Sequence, residues 1–218
     1  MTSLRTFPDG YFVTLEGPEG AGKTTQQAML VGELRQRGYD VLQIREPGGT
    51  LLGERIREIL LKRDASLPLC AEAELLLFGA SRVQVVQEVI LPHLQSGGIV
   101  VCDRFIDSTT VYQGSARGLD PGFITEMHRF CTHARLPDLT FLLDLQTQIG
   151  FDRVITRDGK AAEDDRFQSE ASAFHDRVRS GFLELAREHP LRIRTVQADA
   201  PAPAVHAAIM EIFDCALG

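Results

Sequence analysis

Residues 11–26 read YFVTLEGPEGAGKTTQ, an apolar run followed at once by a glycine-rich loop with a lysine and two threonines. Residues 17–24 match the pattern G-x-x-x-x-G-K-[ST] in full, between a strand-like run and a helix-forming segment. In this pattern the glycines let backbone N–H groups converge on phosphate oxygens at a helix N-terminus. The lysine reaches the β- and γ-phosphates, and the last hydroxyl binds Mg²⁺. The stretch therefore predicts a P-loop that binds a nucleoside triphosphate with Mg²⁺.

A second stretch supplies the carboxylate that such a site needs. Residues 99–103 read IVVCD and predict a buried strand that ends at Asp103. Proteins with a P-loop place such a carboxylate on the metal ion or on its water. We therefore predict Thr24 and Asp103 as the metal-binding pair. The loop itself predicts the following triphosphate-binding residues: Gly17, Pro18, Glu19, Gly20, Ala21, Gly22, Lys23, Thr24 and Thr25.

Short β-rich runs alternate with longer helical segments along the chain. The predicted strands cover residues 11–15, 41–45, 98–103, 139–145 and 192–198. The predicted helices cover residues 24–37, 53–62, 71–95, 123–133, 169–188 and 201–216. Nearly continuous apolar strands joined by helical crossovers are typical of a parallel sheet covered on both faces. We therefore predict one α/β domain over residues 1–218, a P-loop NTPase-type three-layer sandwich with a five-stranded parallel sheet flanked by helices.

Charge and composition argue against several classes of protein. The formal net charge is −7 and the pI is near 5.4, whereas a sequence-independent nucleic-acid binder needs a broad basic face. No continuous apolar stretch reaches the roughly 18 residues of a membrane span, and the first ten residues show no secretory signal. Cys70, Cys102, Cys131 and Cys215 lie far apart and are expected to be buried free thiols. We expect a cytoplasmic protein that binds neither nucleic acid nor membrane.

One segment departs from the alternation of strands and helices. Residues 153–167 read RVITRDGKAAEDDRF and carry many charges of both signs. After a helix-like start, this composition predicts a mobile, solvated excursion from the fold. A plain surface loop is one interpretation. Because the segment brings basic residues to a phosphate-binding protein, the other interpretation is a lid over the site, at about residues 150–167.

Three classes of P-loop protein compete: small-molecule kinases, GTPase switches and ATP-driven motors. A GTPase usually reads guanine with an Asn-Lys-x-Asp loop, and this chain contains no asparagine. A motor usually brings extra domains and a basic track, neither of which fits 218 residues of net negative charge. A small-molecule kinase needs a second pocket, with arginines for an acceptor phosphate and an aromatic plate for an acceptor base.

Three stretches meet that requirement. REPGGTLLGERIR (45–57) places several arginines around a glycine turn. LLLFGASR (75–82) sets Phe78 and Arg82 four residues apart, on one face of a helix. CDRFIDSTTVYQGSARG (102–118) adds an arginine beside the metal carboxylate, followed by hydroxyl and amide side chains.

Each of these side chains also has a simpler interpretation. Phe78 alone fits a core position, and Arg82 alone fits a solvated helix charge. Arg104 alone fits a structural ion pair with Asp103. Their combination behind a P-loop favours a nucleotide acceptor pocket.

Six motifs follow one another in the part of the chain from about Phe12 to Asp199: EGPEGAGKTTQ, REPGGT..GE.IR, LLLFGASR, CDRFIDST..YQG..RG, PDLTFLLDL and DRF....FH.RVR.GFLELA. In this order they resemble the motifs of the thymidylate kinase family, in its bacterial form. The resemblance implies an enzyme that uses ATP and Mg²⁺ to convert dTMP into dTDP for dTTP biosynthesis. It also implies a homodimer. The transfer would be in-line, without a covalent intermediate.

The resemblance implies roles at the base and sugar of the acceptor. Phe78 would stack on thymine, and Arg82 with Gln113 or Thr109 would bond the edge of the base. Tyr112 would lie against the deoxyribose and disfavour a 2′-hydroxyl. The full set of substrate-binding residues that the resemblance implies is Glu19, Glu46, Pro47, Arg57, Phe78, Arg82, Arg104, Ser108, Thr109, Tyr112 and Gln113.

The resemblance also implies how the acceptor phosphate and the 3′-hydroxyl are held. Arg57 and Arg104 would bind the 5′-phosphate. Glu19 is unexpected in a P-loop, because its carboxylate would repel a polyphosphate. In the family this acid bonds the 3′-hydroxyl of dTMP instead. A solvent-facing loop carboxylate is the alternative interpretation of Glu19.

Cationic catalysis is the last implied feature. Some family members carry an arginine in the loop at the position of Gly20, whereas bacterial-type members supply the cation from the lid. The lid cations here are Arg153, Arg157, Lys160 and Arg166. We expect Arg153 to act first and Arg166 second, although Arg166 has an alternative as the partner of Asp164 or Asp165. The predicted catalytic residues are Lys23, Asp103, Arg104, Arg153 and Arg166.

Two rival functions remain open at this point. One is a different nucleotide or nucleoside kinase on the same scaffold. Arg57 and Arg104 disfavour a nucleoside acceptor, because a nucleoside has no phosphate for them to hold. The other is a nucleotide-gated interaction protein, which binds ATP without acceptor-dependent turnover.

Overall fold

A five-stranded parallel sheet forms the centre of the computed structural model, which describes residues 5–62, 64–158, 166–168 and 170–217. Its strands are β1 (Tyr11–Glu16), β2 (Val41–Arg45), β3 (Ile99–Asp103), β4 (Leu139–Asp144) and β5 (Ile193–Gln197). β3 and β4 are buried at every position, as expected for parallel strands covered on both faces. The predicted parallel α/β fold is confirmed, with strand ends that agree to about one residue.

The order of the strands places the functional loops together. The order is β2-β3-β1-β4-β5, so the chain crosses first to one side of β1 and later to the other. Ligands of open α/β sheets bind at the carboxyl ends of the strands where the direction of these crossings changes. The register pairs Leu15 of β1 with Asp103 of β3. The P-loop, which follows β1, therefore begins beside the carboxylate that ends β3.

Two helices cover one face of the sheet. They are α1 (Lys23–Gln36) and α9 (Ala202–Leu217). Alternate strand residues such as Val13 and Leu15 point to this face and pack with both helices in one apolar cluster. Full burial of each such side chain contributes about 1.5–3 kcal/mol, which fixes the start of α1 against the end of β1.

The opposite face carries the helices that form the acceptor end of the site. These are α2 (Leu51–Leu61), α3 (Ala71–Val85), α4 (Leu91–Gln95), α5 (Ile106–Thr109), α6 (Pro121–Thr132) and α8 (Ser172–Glu188), whereas α7 (Thr147–Asp158) follows β4 and packs on the P-loop. Phe12, Val100 and Cys102 point to this face and pack beneath the run from α3 to α4. A second apolar cluster joins α8 to the segment that follows α5.

Two predicted features of these helices need correction. The predicted helix 71–95 is continuous but widens into a π-helix at Val86–Ile90. A second π-helix at Thr110–Ala116 continues α5, where the sequence predicted only a run of polar site residues. π-Helical segments are frequent at functional sites. The periodicity of the sequence does not distinguish either of these two segments from an α-helix.

The lid segment also differs from its prediction. Residues 153–158 belong to helix α7, which the sequence analysis did not include among the helices. Its exposed residues include the polar or charged side chains of Gln148, Asp152, Thr156 and Arg157 but also Ile155, which is 62% exposed, so its pattern is weaker than that of a typical amphipathic helix. The remainder of the predicted lid, residues 159–165, lies outside the described residues, and Lys160, Asp164 and Asp165 with it.

Two expectations drawn from the composition, about the cysteines and about apolar stretches, need correction. Cys102 and Cys131 are buried free thiols, but Cys70 and Cys215 are exposed. The helical run Ala71–Gln95 is long and apolar enough to cross a membrane by length and composition, with a mean hydropathy of 1.3 and 39% of its 18-residue window buried. The prediction counted only uninterrupted apolar residues and missed this run. Core helices pass the same test, so one such helix is weak evidence for a membrane span.

Candidate active site

The P-loop, residues 17–24, connects the end of β1 to the start of α1. Gly17 and Gly20 have φ angles of 138° and 74°, values that L side chains rarely adopt. Because α1 begins at Lys23, the positive end of the helix dipole lies at the loop. Loop and helix together have the form of a phosphate-binding site.

Lys23 is buried at the base of the loop. Its Nζ donates hydrogen bonds to the carbonyl oxygens of Gly17 at 3.0 Å and Pro18 at 2.8 Å. Burial, followed by the charge of Arg104, lowers the pKa of its ammonium group to about 8, although Glu19 opposes the change. A bound anion would favour the charged form of this lysine.

Thr24 and Asp103 lie together, as the predicted metal pair requires. Thr24 Oγ1 donates a hydrogen bond of 2.7 Å to Asp103 Oδ2. Hydroxyl and carboxylate oxygens are the hard ligands that Mg²⁺ prefers, and Mg²⁺ usually keeps several waters and phosphate oxygens. The described residues contain no cluster of three or more His, Cys, Asp or Glu suited to a metal. The donor set therefore fits a magnesium ion that the triphosphate helps to bind.

Glu19 turns toward the acceptor end of the site. Its Oε1 accepts hydrogen bonds from Arg104 Nη2 at 2.6 Å and from the Tyr112 hydroxyl at 3.1 Å. Burial raises the pKa of Glu19, but Arg104 and then Lys23 outweigh burial and lower the pKa to about 2. Glu19 is thus an ionised carboxylate with a guanidinium partner. This pairing offsets the repulsion that it would exert on a polyphosphate.

Arg104 connects the P-loop to the acceptor end. Its Nη1 donates to the Gly17 carbonyl at 3.2 Å and to Ser108 Oγ at 3.1 Å, and its guanidinium lies 5.1 Å from the centroid of the Tyr112 ring. The acidic side chain that forms an ion pair with Arg104 is Glu19. The alternative interpretation, an ion pair with Asp103, does not describe this contact. Arg104 also has a φ of 70°, a strained value for a non-glycine residue.

Glu16, which the sequence analysis did not select, supports the turn that carries Arg104. Its Oε1 accepts from the backbone N–H of Phe105 at 2.7 Å and of Ser108 at 3.3 Å, and its Oε2 accepts from Ser108 Oγ at 2.6 Å. Burial, with the nearby charge of Asp107, raises the pKa of Glu16 to about 7. The sequence could have indicated Glu16 by its position, because it is an acid at the end of an apolar strand and directly before the P-loop. A charged residue at the end of a buried strand needs a partner.

The base end of the cavity is formed by α3 and the segment after α5. Arg82 is 1% exposed, and its Nε donates to Glu46 Oε2 at 2.8 Å while its Nη2 donates to Thr109 Oγ1 at 3.0 Å. Phe78, one turn earlier, is half-buried, with its ring 6.1 Å from that of Phe167. The alternative interpretation of Arg82 as a solvated helix charge is therefore wrong. Arg82 is a fixed, buried donor.

One cavity of about 260 Å³ joins these groups. All the substrate-binding residues that the resemblance implies line it, and so does Asp103. From the P-loop, its lining includes Glu19, Gly20, Gly22, Lys23, Thr24 and Thr25. Among the predicted site residues, Gly17, Pro18, Ala21, Arg153 and Arg166 are not part of this lining.

Positive charge is concentrated at the middle of the cavity. Arg57 Nη1 donates to the Pro47 carbonyl at 2.9 Å. Burial lowers the pKa of Arg57, and the charges of Arg45 and Arg104 act in the same direction against Glu54. Neighbouring guanidinium groups repel one another in a buried site. A bound anion with the size and charge of a phosphate group would offset this repulsion.

The lid helix α7 packs directly on the P-loop. A Cβ on Gly20 would lie 2.4 Å from the carbonyl oxygen of Gly150, so no side chain fits at residue 20. Arg153 Nη1 donates to the Ala198 carbonyl at 2.9 Å and to the Gly20 carbonyl at 3.4 Å. Arg157, one turn later, lines the cavity. A cation in the P-loop itself is thus excluded at residue 20, and α7 brings two arginines to the triphosphate end.

Arg166, the second predicted lid cation, contacts the acceptor end. Its Nε donates to the Leu60 carbonyl at 2.9 Å, and its Nη2 forms an ion pair with Glu74 at 2.6 Å. The alternative partners, Asp164 and Asp165, lie outside the described residues. The sequence analysis missed Glu74, because an acid in the first turn of a helix usually needs no explanation beyond the helix dipole.

A known protein family matches most of this chain. The model of the family described as thymidylate kinase matches residues 15–209. The chain belongs to the thymidylate kinase family. It is therefore a phosphotransferase that binds nucleotides, and the resemblance inferred from the motifs is confirmed.

Individual thymidylate kinases support the same assignment. That of Thermomicrobium roseum is 48% identical over 206 residues, which cover 93% of this chain and 95% of that protein. That of Desulfosudis oleivorans is 49% identical over 197 residues, covering 89% and 92%. The crystal structure of thymidylate kinase from Ehrlichia chaffeensis has a TM-score of 0.75 at 33% identity, covering 94% of this chain and 99% of that one. The residues that the family model matches, 15–209, include the P-loop, the base end and the lid helix.

Proposed function

We propose that the protein transfers the γ-phosphoryl group of ATP to dTMP, which yields ADP and dTDP. The observation that carries the proposal is the single cavity that runs from the P-loop to the Phe78–Arg82 surface. A P-loop at one end suits a triphosphate. A half-buried aromatic ring beside a fixed arginine at the other end suits a base. Arg57 and Arg104 lie between the two ends.

The donor end binds the triphosphate through the loop backbone and Lys23. Thr24 and Asp103 would hold a magnesium ion, which would neutralise charge on the β- and γ-phosphates when bound. Lys23 exchanges its two loop carbonyl contacts for phosphate oxygens, which are stronger acceptors. The anion in turn keeps the ammonium group charged.

The acceptor end binds dTMP by its charge, its sugar and its base. Arg57 and Arg104 hold the 5′-phosphate, whose ionised oxygen is the nucleophile. Glu19 accepts a hydrogen bond from the 3′-hydroxyl, at the point where it already accepts from Tyr112. A site built from buried polar groups rejects analogues that leave these groups unpaired.

Phosphoryl transfer in this site depends on positioning and on charge. Both phosphates are held by cations, so in-line attack requires no covalent intermediate on the protein. Arg153 and Arg157 add positive charge from α7, close to the P-loop. Closure of the lid over the cavity excludes water and limits ATP hydrolysis.

An assay of ADP release with four acceptors separates the proposal from its rivals. ATP and Mg²⁺ are supplied with dTMP, dUMP, dCMP or thymidine. We expect dTMP to stimulate ADP release most and thymidine to give none, because thymidine offers no phosphate to Arg57 and Arg104. Stimulation by thymidine would indicate a nucleoside kinase. ATP binding without any acceptor-dependent turnover would indicate a nucleotide-gated interaction protein.

We propose further that the protein acts as a homodimer in the cytoplasm. Leu76, Phe123 and Phe130 lie on the packed helices α3 and α6 and are 57%, 53% and 72% exposed. Large apolar side chains at this exposure suit contact with a second copy of the chain. Two exposed free thiols suit a reducing compartment. Light scattering of the purified protein tests the dimer, and a Phe130→Ser variant should shift the mass toward the monomer; a monomeric native protein contradicts it.

A further inference from the structure

The carboxylate of Glu74 lies beneath the base end of the cavity. It is 1% exposed and belongs to the first turn of α3. Its Oε1 accepts from Gln113 Nε2 at 2.7 Å and from Arg117 Nε at 3.2 Å. Its Oε2 accepts from Arg117 Nη2 at 3.3 Å and pairs with Arg166 Nη2 at 2.6 Å. Glu74 is thus held by two guanidinium groups and one amide.

This arrangement determines which way the Gln113 amide faces. A carboxylate paired with two guanidinium groups accepts hydrogen bonds and cannot donate them. The NH₂ end of the amide must therefore face Glu74, because the carbonyl end would place two oxygens against each other. Gln113 is 1% exposed and lines the cavity. Its carbonyl oxygen, at the opposite end of the planar amide, is the atom left for a ligand in the cavity.

The base end therefore offers one acceptor and one donor. Gln113 supplies the acceptor, and Arg82 can only donate. Thymine presents an N3–H donor beside the O4 acceptor, which complements this pair. Cytosine presents the reverse pattern, with an N3 acceptor beside an N4 amino donor, and leaves the pair unmatched.

We propose that Glu74 is a positioning residue for base specificity, which fixes the Gln113 amide so that the cavity accepts thymine and rejects cytosine. The proposal rests on the proposed function and adds to it the group that sets the base preference. Glu74 itself does not contact the base. It acts through Gln113, and its pairing with Arg117 and Arg166 keeps it in place.

A Glu74→Gln variant tests the proposal while it preserves the size of the side chain. Arg117 and Arg166 can only donate, so they would bind the single oxygen of the new amide. Its NH₂ group would then face Gln113, and the Gln113 amide would turn to present a donor to the cavity. We expect the ratio of kcat/KM for dTMP to that for dCMP to fall by about tenfold or more, with the KM for ATP unchanged. An unchanged ratio overturns the proposal.

Glu170→Gln is the matched control. Glu170 pairs with Arg117 at 2.7 Å, so the substitution removes one carboxylate from the same group of charges. It leaves the contact between Glu74 and Gln113 in place. The base ratio of this variant should equal that of the native protein. An equal loss of ratio in both variants would assign the effect to charge balance and would overturn the specific role of Glu74.

Neutron diffraction from native crystals with dTMP tests the amide orientation without any substitution, in case Glu74→Gln does not fold. Deuterium on the side of Gln113 that faces Glu74 is the expected result, and deuterium on the side that faces the base overturns the proposal. The activity of the native enzyme also distinguishes a failure of the proposed function from a failure of the role proposed for Glu74. If it does not phosphorylate dTMP, the proposed function fails; if it does and Glu74→Gln keeps the base ratio, only the role of Glu74 fails.

Discussion

Glu19 shows how a P-loop can contain an acid. Its carboxylate is directed at Arg104 and Tyr112, and its low pKa reflects the guanidinium rather than exposure to water. The ion pair with Arg104 offsets the cost of burying the two charges, and removal of either partner would leave the other uncompensated. The side chain therefore belongs to the acceptor end although its backbone belongs to the donor loop.

A Glu19→Ala substitution should affect the two substrates unequally. It removes a charged acceptor from the acceptor end, and hydrogen bonds to charged groups contribute about 1.5–3 kcal/mol. We expect the KM for dTMP to rise by about 10- to 100-fold, and the KM for ATP to change far less. Steady-state kinetics with each substrate varied in turn provides the measurement. Equal changes in both constants, or none, would refute the assignment.

Arg153 is the lid cation with the clearest contact to the P-loop. It donates hydrogen bonds to the Gly20 carbonyl and the Ala198 carbonyl, which place its charge beside the P-loop, although it does not line the cavity. Arg153→Ala should lower kcat by at least about tenfold with little change in dTMP affinity, because the group acts on the transition state rather than on the acceptor. Arg187→Ala, which removes an exposed arginine of α8, is the control. Unchanged turnover in Arg153→Ala would remove this residue from the mechanism.

At the scale of elements, the position of α7 depends on two glycines. Gly20 and Gly150 allow backbone contact between the P-loop and the lid helix, and a Cβ on Gly150 would lie 2.4 Å from the Glu19 carbonyl oxygen. Because backbone atoms on both sides cannot move independently, a methyl group here must displace α7. The lid arginines would move with it.

A Gly150→Ala substitution should therefore reduce activity although alanine favours helices. Displacing a catalytic group by about 1 Å costs up to roughly 10²-fold in rate, so we expect a loss in kcat of that order. Gly32→Ala is the matched control, since a Cβ there meets no atom within 4 Å. It should leave kcat unchanged and raise the free energy of unfolding by up to about 1 kcal/mol. Native kcat in Gly150→Ala would contradict the direct packing of α7 on the loop.

The turn between β3 and α5 should give the protein a characteristic pH dependence. Burial raises the pKa of Glu16 to about 7 from an ordinary value of 4.5, so the folded state retains a proton that the unfolded state loses between these values. The contribution of Glu16 to stability is therefore present below pH 4.5 and is lost as the pH rises to about 7. Urea unfolding of the native protein and of Glu16→Gln measures it. The stability difference between the two should fall with pH in this window; a constant or rising difference is the opposing result.

At the scale of the molecule, the sequence predicted the structural features that depend on a local pattern of residues. Apolar runs predicted the strands, and the glycine-rich motif predicted the donor end, because each of these patterns lies in contiguous residues. The partners of Glu16 and Glu74 come from residues 39 to 92 positions away, which no local pattern contains. The sequence analysis noted only a helix-like start for α7, because the exposed face of this helix mixes polar and apolar residues and its inner face meets the P-loop through glycine.

The acceptor end needed a resemblance as well as a pattern. Phe78 and Arg82 each had a simpler interpretation; their combination behind a P-loop favoured the functional one, and their place among six ordered motifs implied their individual roles. The fold then explains why they work together. β3, α3 and the π-helix after α5 converge at the carboxyl edge of the sheet, where the P-loop also begins.

The central claim is that one cavity binds two nucleotides with their phosphates facing each other. A crystal structure with dTMP, Mg²⁺ and a non-hydrolysable ATP analogue tests it most directly. We expect the pyrimidine ring against Phe78, the dTMP phosphate on Arg57 and Arg104, and the triphosphate on the P-loop. A base bound elsewhere, with the Phe78–Arg82 surface closed by protein side chains, would contradict it.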